Sequence, residues 1–294
     1  MTHRRVLVGL IGANISRSLS PALHQDAFAA AGIEGYYHLM DVERLPGRSL
    51  AQLLDAARAM GFAGLNVTYP FKLDVLARLD RVDDEAAQIG AVNTVTIAAD
   101  GRMTGFNTDR CGFRRHFESS LGRSAANGAS AGLVGAGGAG RAVAFALMDL
   151  QIGDLAIYDR DEAQMNALVA DLRKYFGPSC CRPVEDLARA VAAADGGVNA
   201  TPVGMTGIPG NPVPTAALRP EHWAADVIYS PIETAFIKAA AARGARVLTG
   251  GGMCVYQAAE AFRLFCGLEP DIERMHRTFA RALTERDALA GAET

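Results

Sequence analysis

Short apolar runs and amphipathic stretches alternate from the first residues of the chain. Residues 5–11 read as a strand, 21–31 as a helix and 36–41 as a second strand, so the order is β-α-β from the outset. A helix over 50–60 and a strand over 63–68 continue the pattern. Residues 91–98 and 102–106 then flank an Asp100-Gly101 pair, the chemistry of a tight hairpin, which adds antiparallel pairing to the first lobe.

A helical stretch at 109–121 leads into small, polar residues at 122–130, which the sequence presents as a linker. Beyond it, strands at 131–134 and 155–158 with helices at 141–150 and 162–175 make a βαβ unit. Strands at 197–200, 225–228 and 246–248, separated by helical or turn-rich sequence, extend it to a doubly wound parallel sheet of Rossmann type. Helices at about 253–265 and 271–286 finish the chain, and no repeat or low-complexity run interrupts it. The fold class is therefore α/β with two domains.

Composition narrows the partners. At 294 residues, half of them apolar, and a formal net charge of −3, the chain has no polybasic footprint for nucleic acid. No apolar run approaches the roughly 18 residues of a membrane span, and the N-terminus lacks the apolar core of a signal peptide, so the expected compartment is the cytoplasm. The five cysteines form no CxxC pair and the six histidines form no ligand array, so reduced thiols and no metal are expected.

The run Gly135-Ala136-Gly137-Gly138-Ala139-Gly140 supplies GxGxxG where the mechanism needs it, between a predicted strand and a predicted helix. Gly135 permits the tight turn, Gly137 lets the backbone approach a pyrophosphate, and Gly140 lets the helix pack closely, while the helix N-terminus offers free N–H groups. The next strand runs into Asp159, where an acid meets the adenosine ribose. A carboxylate there repels a 2′-phosphate and favours NAD; Arg160 beside it is either a solvated charge or a phosphate partner that would admit NADP.

Three polar segments of the first lobe each have two readings. In Ser18-Leu19-Ser20-Pro21 the second serine is a helix N-cap or a ligand group. In Asn66-Val67-Thr68-Tyr69-Pro70-Phe71-Lys72 the lysine opens the next helix as a surface charge or as a functional amine. In Asn107-Thr108-Asp109 the acid is an N-cap or a site residue.

With Gly90-Ala91-Val92-Asn93-Thr94, Asn199-Ala200-Thr201-Pro202, Asp226-Val227-Ile228-Tyr229, and Met253 with Gln257, these segments fall in an order that resembles the shikimate and quinate dehydrogenase family over nearly the whole chain. The resemblance implies a substrate domain of residues 1–112 rejoined by the C-terminal helices at about 255–294, with a dinucleotide domain of 113–254 inserted between them. It implies Lys72 and Asp109 as the catalytic pair, and Ser18 and Ser20 on the substrate carboxylate. It further implies Asn66, Thr68, Asn93 and Gln257, with Asp109, on the ring hydroxyls, and Tyr229 lining the substrate side. Thr201, Val227, Gly250 and Met253 would lie near the cofactor with the glycine turn.

Family members that use NADP typically carry Asn-Arg-Thr where this chain has Asp159-Arg160-Asp161, and the segments at 223–234 and 261–271 look closer to the NAD-using branch. The expected reaction moves a hydride between NAD(P) and a ring hydroxyl of shikimate, or of quinate. A paralogue acting on an amino-substituted shikimate and a non-catalytic sensor of dinucleotide and ring acid are the alternatives. Retention of both Lys72 and Asp109 and the lack of a DNA-binding segment favour the enzyme. No helix shows a sustained a/d seam, so monomer and homodimer stay open.

Overall fold

The computed structural model describes residues 5–292. Along the chain run β1 (Arg5–Gly12), α1 (Ser20–Ala30), β2 (Glu34–Asp41), α2 (Leu50–Ala59), β3 (Gly64–Val67), β4 (Arg81–Val82), α3 (Asp84–Ile89), β5 (Thr94–Ile97) and β6 (Met103–Phe106). After α4 (Thr108–Leu121) come β7 (Ser130–Val134), α5 (Gly138–Asp149), β8 (Asp154–Tyr158), α6 (Glu162–Phe176), β9 (Cys181–Pro183), α7 (Leu187–Ala193) and β10 (Gly196–Asn199). The remainder is β11 (Trp223–Asp226), α8 (Ala235–Ala242), β12 (Arg246–Leu248), α9 (Gly250–Cys266) and α10 (Ile272–Ala292). Two compact units result: one holds the chain up to Thr108 together with the chain from Val255 onward, the other holds Asp109–Cys254.

The first unit is built on a six-stranded mixed sheet in the order β2-β1-β3-β5-β6-β4. β2, β1 and β3 pair in parallel, and β5 pairs antiparallel with β3 and β6. Alternation along β1 sends Val6, Val8 and Leu10 to one face, where Phe28 of α1 and Phe262 and Phe265 of α9 cover them. Ile11 and Leu7 face the other side, with Leu50, Leu53 and Leu54 of α2. α2 starts where it does because Ser49 and Gln52 form a reciprocal capping box. α10 is pinned to α1 by Asp26, which accepts two hydrogen bonds from the Arg274 guanidinium, both 2.8 Å, and one from Thr278 at 2.9 Å. These bonds hold the Asp26 carboxyl down at about 2.

The second unit is an all-parallel sheet in the order β12-β11-β10-β7-β8-β9, which in chain order is the 3-2-1-4-5-6 arrangement of a doubly wound fold. Its inner strands β10 and β11 are buried at every residue, as strands covered on both faces must be. α5 is buried at every position from Gly140 to Met148.

Three of the boundaries that differ from the sequence reading have an identifiable physical reason. Residues 122–130 are not a free linker: a 3₁₀ turn at Arg123–Ala125 is tied into the second unit by Arg123, which donates to the Asp149 carbonyl at 2.6 Å, and by the Trp223 indole N–H, which donates to the Ala125 carbonyl at 3.1 Å. β11 begins two residues early and ends at Asp226, whose carboxylate takes the backbone N–H of Ile228 at 3.0 Å. α5 begins at Gly138 rather than 141, because the glycine turn itself forms its first turn. No helix among the described residues is long and apolar enough to cross a membrane, and they hold no cluster of metal-ligating side chains.

His24 of α1 is fully buried, stacked on Tyr37 at 4.7 Å between ring centroids and flanked by Phe28 and Phe265. Neither ring nitrogen has a hydrogen-bond partner, and burial pushes its pKa down to about 3. The unfolded chain, with an imidazole near 6.5, therefore takes up this proton first. Stability contributed by neutral His24 is complete above about pH 6.5 and falls by up to about 1.4 kcal/mol per pH unit as the medium is acidified towards 3. His24→Phe is expected to flatten the unfolding free energy measured by urea titration between pH 6.5 and 4.5; equal acid limbs in variant and wild type would remove His24 as their source.

Candidate active site

In the first unit a run of buried hydrogen bonds joins five side chains from four elements. The Tyr37 hydroxyl donates to Asn66 Oδ1 at 2.8 Å. Asn66 Nδ2 donates to Thr94 Oγ1 at 2.9 Å and to the Asn93 backbone carbonyl at 3.4 Å. Thr94 Oγ1 donates to Asn93 Oδ1 at 3.1 Å, and Asn93 Nδ2 donates to Thr108 Oγ1 at 3.0 Å. The Thr108 hydroxyl, with one hydrogen to give, lies 3.2 Å from Asn93 Oδ1 and 3.4 Å from Gln257 Oε1.

The direction of this run is not free. A backbone carbonyl only accepts, so the Asn66 amide nitrogen must face Asn93; a backbone N–H only donates, so Asn93 Oδ1 must face Thr108 N, 2.8 Å away. With both amides oriented, the Tyr37 hydroxyl must donate to Asn66 Oδ1 and the Thr94 hydroxyl must accept from Asn66 Nδ2. Both Asn66 amide hydrogens are taken, leaving its oxygen as an acceptor, while Asn93 keeps one amide hydrogen to donate. The pair thus presents one acceptor and one donor, which suits adjacent hydroxyls on a ring.

The other residues singled out in the first lobe are held by their own local structure. Ser18 and Ser20 stand with their hydroxyls 3.2 Å apart at the start of α1. Ser20 is the first helical residue rather than its N-cap, a position Leu19 takes without a side-chain bond, so the serine hydroxyl is not engaged in capping. Thr68 has its methyl group against Gly12, where a Cβ would come within 2.3 Å. Lys72 does not open a helix: it lies in a turn before the 3₁₀ segment Asp74–Arg78. Its carbonyl accepts from Val92 N at 2.8 Å, which ties the lysine's backbone to the strand entry that carries Asn93. Asn107 fixes the next turn by donating to the Ala91 carbonyl at 2.9 Å. Asp109 is not a cap, since α4 already begins at Thr108; it is a buried residue of the first turn and the first residue of the second unit.

In the second unit the strand order reverses between β7 and β10, and the loops that follow these two strands meet. Gly135 has φ +105° and backs directly onto Ala200, where a Cβ would lie 2.9 Å from the carbonyl carbon. A Cβ on Gly140 would fall 1.9 Å from the Gly135 carbonyl oxygen, so the first turn of α5 folds tightly over the glycine turn. Gly137 faces open space at its Cβ position. The backbone N–H groups of Gly138, Ala139 and Gly140 belong to the first helical turn, where no intrahelical acceptor reaches them. Asp159 anchors the turn, accepting from Ala136 N at 2.6 Å through one oxygen and from Asp161 N at 2.9 Å through the other. Arg160 is exposed. These features form a cradle for a diphosphate with an acid at its ribose end, so the residues present fit a dinucleotide.

The neighbouring loops are held by a buried carboxylate that sequence reasoning placed only within a motif. Asp226 accepts from Thr234 Oγ1 at 2.7 Å and from Asn199 Nδ2 at 3.2 Å, and burial pushes its carboxyl up against the pull of these bonds. Asn199 Oδ1 in turn accepts from Thr201 Oγ1 at 2.7 Å, so one network sets the loops carrying Thr201 and Val227. Gly250 sits against the Val227 and Ile228 carbonyls, where a Cβ would come within 2.4 Å, and Met253 is buried one turn further along α9. Tyr229 is half-buried two residues beyond Val227. The residues missed outright are Tyr37, Thr94 and Thr108; only the polarity of Thr94 and Thr108 inside quoted motifs pointed to them.

A crevice-forming parallel sheet with this glycine turn defines the second unit as a dinucleotide-binding fold of the dehydrogenase class. The model of the shikimate dehydrogenase substrate binding domain matches residues 10–95. The quinate/shikimate dehydrogenase (NAD(+)) of Corynebacterium efficiens is 47% identical over 283 residues, 95% of this chain and 99% of its own. Quinate dehydrogenase from Corynebacterium glutamicum in complex with NAD superposes with a TM-score of 0.87 at 43% identity, covering 95% of this chain and all of that one. Shikimate 5-dehydrogenase from Thermus thermophilus in complex with NADP(H) and shikimate gives 0.82 at 38% identity over the same shares. The chain belongs to the shikimate and quinate dehydrogenase family.

The two glycines of the turn make separable demands. Gly140→Ala is expected to lower stability by several kcal/mol, since backbone must move to relieve the overlap, whereas Gly137→Ala should change it by less than about 0.5 kcal/mol. Thermal denaturation of the two variants reads the difference, and equal losses would contradict the packing described.

Proposed function

We propose that this protein is an NAD-preferring dehydrogenase that interconverts shikimate and its 3-dehydro ketone, and quinate alongside. The observation that carries the reading is the identity of 47% along 95% of the chain with a relative named for both substrates and for NAD. The cofactor preference is supported by Asp159, held at the mouth of the glycine turn by Ala136 N. Gly135, Gly137, Gly138, Ala139 and Gly140 would take the diphosphate and Asp159 the adenosine ribose, with Arg160 outside it. Thr201, Val227, Gly250 and Met253 would flank the nicotinamide end.

The bound nicotinamide supplies the hydride acceptor. The chain's own residues must then manage a proton, because hydride loss from a carbinol carbon requires the hydroxyl hydrogen to leave as well. We assign that step to Lys72 Nζ, which in its neutral form accepts the hydroxyl proton; in the reverse direction its ammonium stabilises the developing alkoxide and returns the proton. Asp109 orients the lysine and the hydroxyl. Ser18 and Ser20, at the N-terminal end of α1, take the substrate carboxylate, which the positive end of that helix favours. Asn66 Oδ1 accepts from one ring hydroxyl and Asn93 Nδ2 donates to another, with Thr68, Gln257 and Tyr229 completing the pocket.

Initial rates with shikimate and quinate, each against NAD and NADP, test the assignment: NAD is expected to give the higher efficiency with both acids. Absence of turnover with every pair would refute the function. Asp159→Ala is expected to shrink the ratio of NAD to NADP efficiency about tenfold or more, equal to the loss of one ribose contact and one phosphate repulsion; an unchanged ratio would remove Asp159 from cofactor choice. Lys72→Ala and Asp109→Ala should each lower kcat at least about 100-fold with KM changed only a few fold. Near-normal kcat in both would displace them as the catalytic pair.

A further inference from the structure

The substrate site contains a polar element with no part in the assignment above. Tyr37 lies on β2 between an exposed Tyr36 and an exposed His38, and is itself buried, so strand alternation turns its ring inward. Its hydroxyl ends on Asn66 Oδ1, the one atom of that amide still able to accept from a ligand. Its ring lies on the imidazole of His24, 21° from parallel, and His24 stands one helical turn after Ser20 on α1. One rigid stack therefore links the helix that begins with the serine pair to the amide that faces the ring hydroxyls.

We infer that Tyr37, seated on His24, is a positioning residue for the ring substrate, acting through Asn66. This rests on the function proposed above. Without the phenol hydrogen, Asn66 Oδ1 loses the Tyr37 donor and the amide is held by its nitrogen alone, through bonds of 2.9 and 3.4 Å. A ligand hydroxyl then binds an acceptor that must first be ordered. The geometry also gives His24 its task. A neutral ring with no hydrogen-bond partner serves as a flat floor, and its place under Tyr37 fixes how far the phenol oxygen reaches toward Asn66. A Tyr37 that served only to fill the core would be indifferent to loss of its hydroxyl once the ring is kept.

The test is a double-mutant cycle on the full chain, with KM and kcat for shikimate and KM for NAD measured for wild type, Tyr37→Phe, Asn66→Ala and the double variant. Tyr37→Phe is expected to raise KM for shikimate about tenfold, the effect of one lost hydrogen bond to a buried amide, with kcat within threefold and KM for NAD within twofold. In the Asn66→Ala background the same change should add less than twofold, since the group through which Tyr37 acts is gone. Calorimetric titration with shikimate at 10 °C gives the same comparison for any variant whose thermal stability has fallen. An unchanged shikimate KM in Tyr37→Phe, or a tenfold effect that persists in the Asn66→Ala background, overturns the inference. Wild-type protein inactive on both shikimate and quinate fails the proposed function first and this inference with it, whereas active wild type with an indifferent Tyr37→Phe fails this inference alone.

Discussion

Two backbone groups, the carbonyl of Asn93 and the N–H of Thr108, orient the two amides at the centre of the first unit's polar network. Side-chain amides and hydroxyls can donate or accept according to how they turn, so a buried run of them has two opposite settings of nearly equal energy. A group that can only accept and one that can only donate remove that freedom. They do so because the chain before β5 and the chain entering α4 are brought side by side by the antiparallel pairing of β5 with β6. On the function proposed, the fit to a pattern of ring hydroxyls would in this sense be a property of the sheet register, expressed through Asn66 and Asn93. Moving β5 by one residue would turn Thr94 to the opposite face and part it from Asn66.

The second unit solves a different problem with the same economy of means. Its glycine turn has no side chains to stabilise it, so its shape is imposed from outside: Asp159 fastens Ala136, and Ala200 stands where a Gly135 side chain would be. The Asp226 carboxylate performs the corresponding service for the next two loops through Asn199 and Thr234. Burying such a group without donors would cost several kcal/mol, and its three kinds of donor, an amide, a hydroxyl and a backbone N–H, offset that cost while freezing the loops.

Much of this was legible in the order of residues, and the exceptions have physical causes. The strands β1, β7, β8 and β12 follow from apolar runs bounded by turn residues, and the glycine turn is recognisable because its strand and helix stand on either side of it. The segment 122–130 reads as a linker because small polar residues carry no periodic signal; its order comes from Trp223 and Arg123, bonds that span about a hundred residues in the first case. Ser20, Lys72 and Asp109 each looked explicable as local helix chemistry. In the structure none of them is a helix N-cap and Lys72 opens no helix, and that removes the local explanation for their presence. Tyr37 was invisible for the opposite reason: a tyrosine at an inward strand position looks like ordinary core, and only its partner distinguishes it.

The pinning of α10 onto α1 joins residues 248 positions apart, and Phe262 and Phe265 cover β1 from equally far along the chain. The first lobe to leave the ribosome is thus the last that can be finished. Its sheet must wait, one face covered by α1 alone, while the contiguous second unit is made and folds, and α9 and α10 then close it. A chain truncated after Cys254 would retain the second unit attached to an apolar face lacking Phe262 and Phe265, a species suited to chaperone capture or aggregation rather than to partial function. Arranged this way, the first unit cannot close until α9 and α10 have been made.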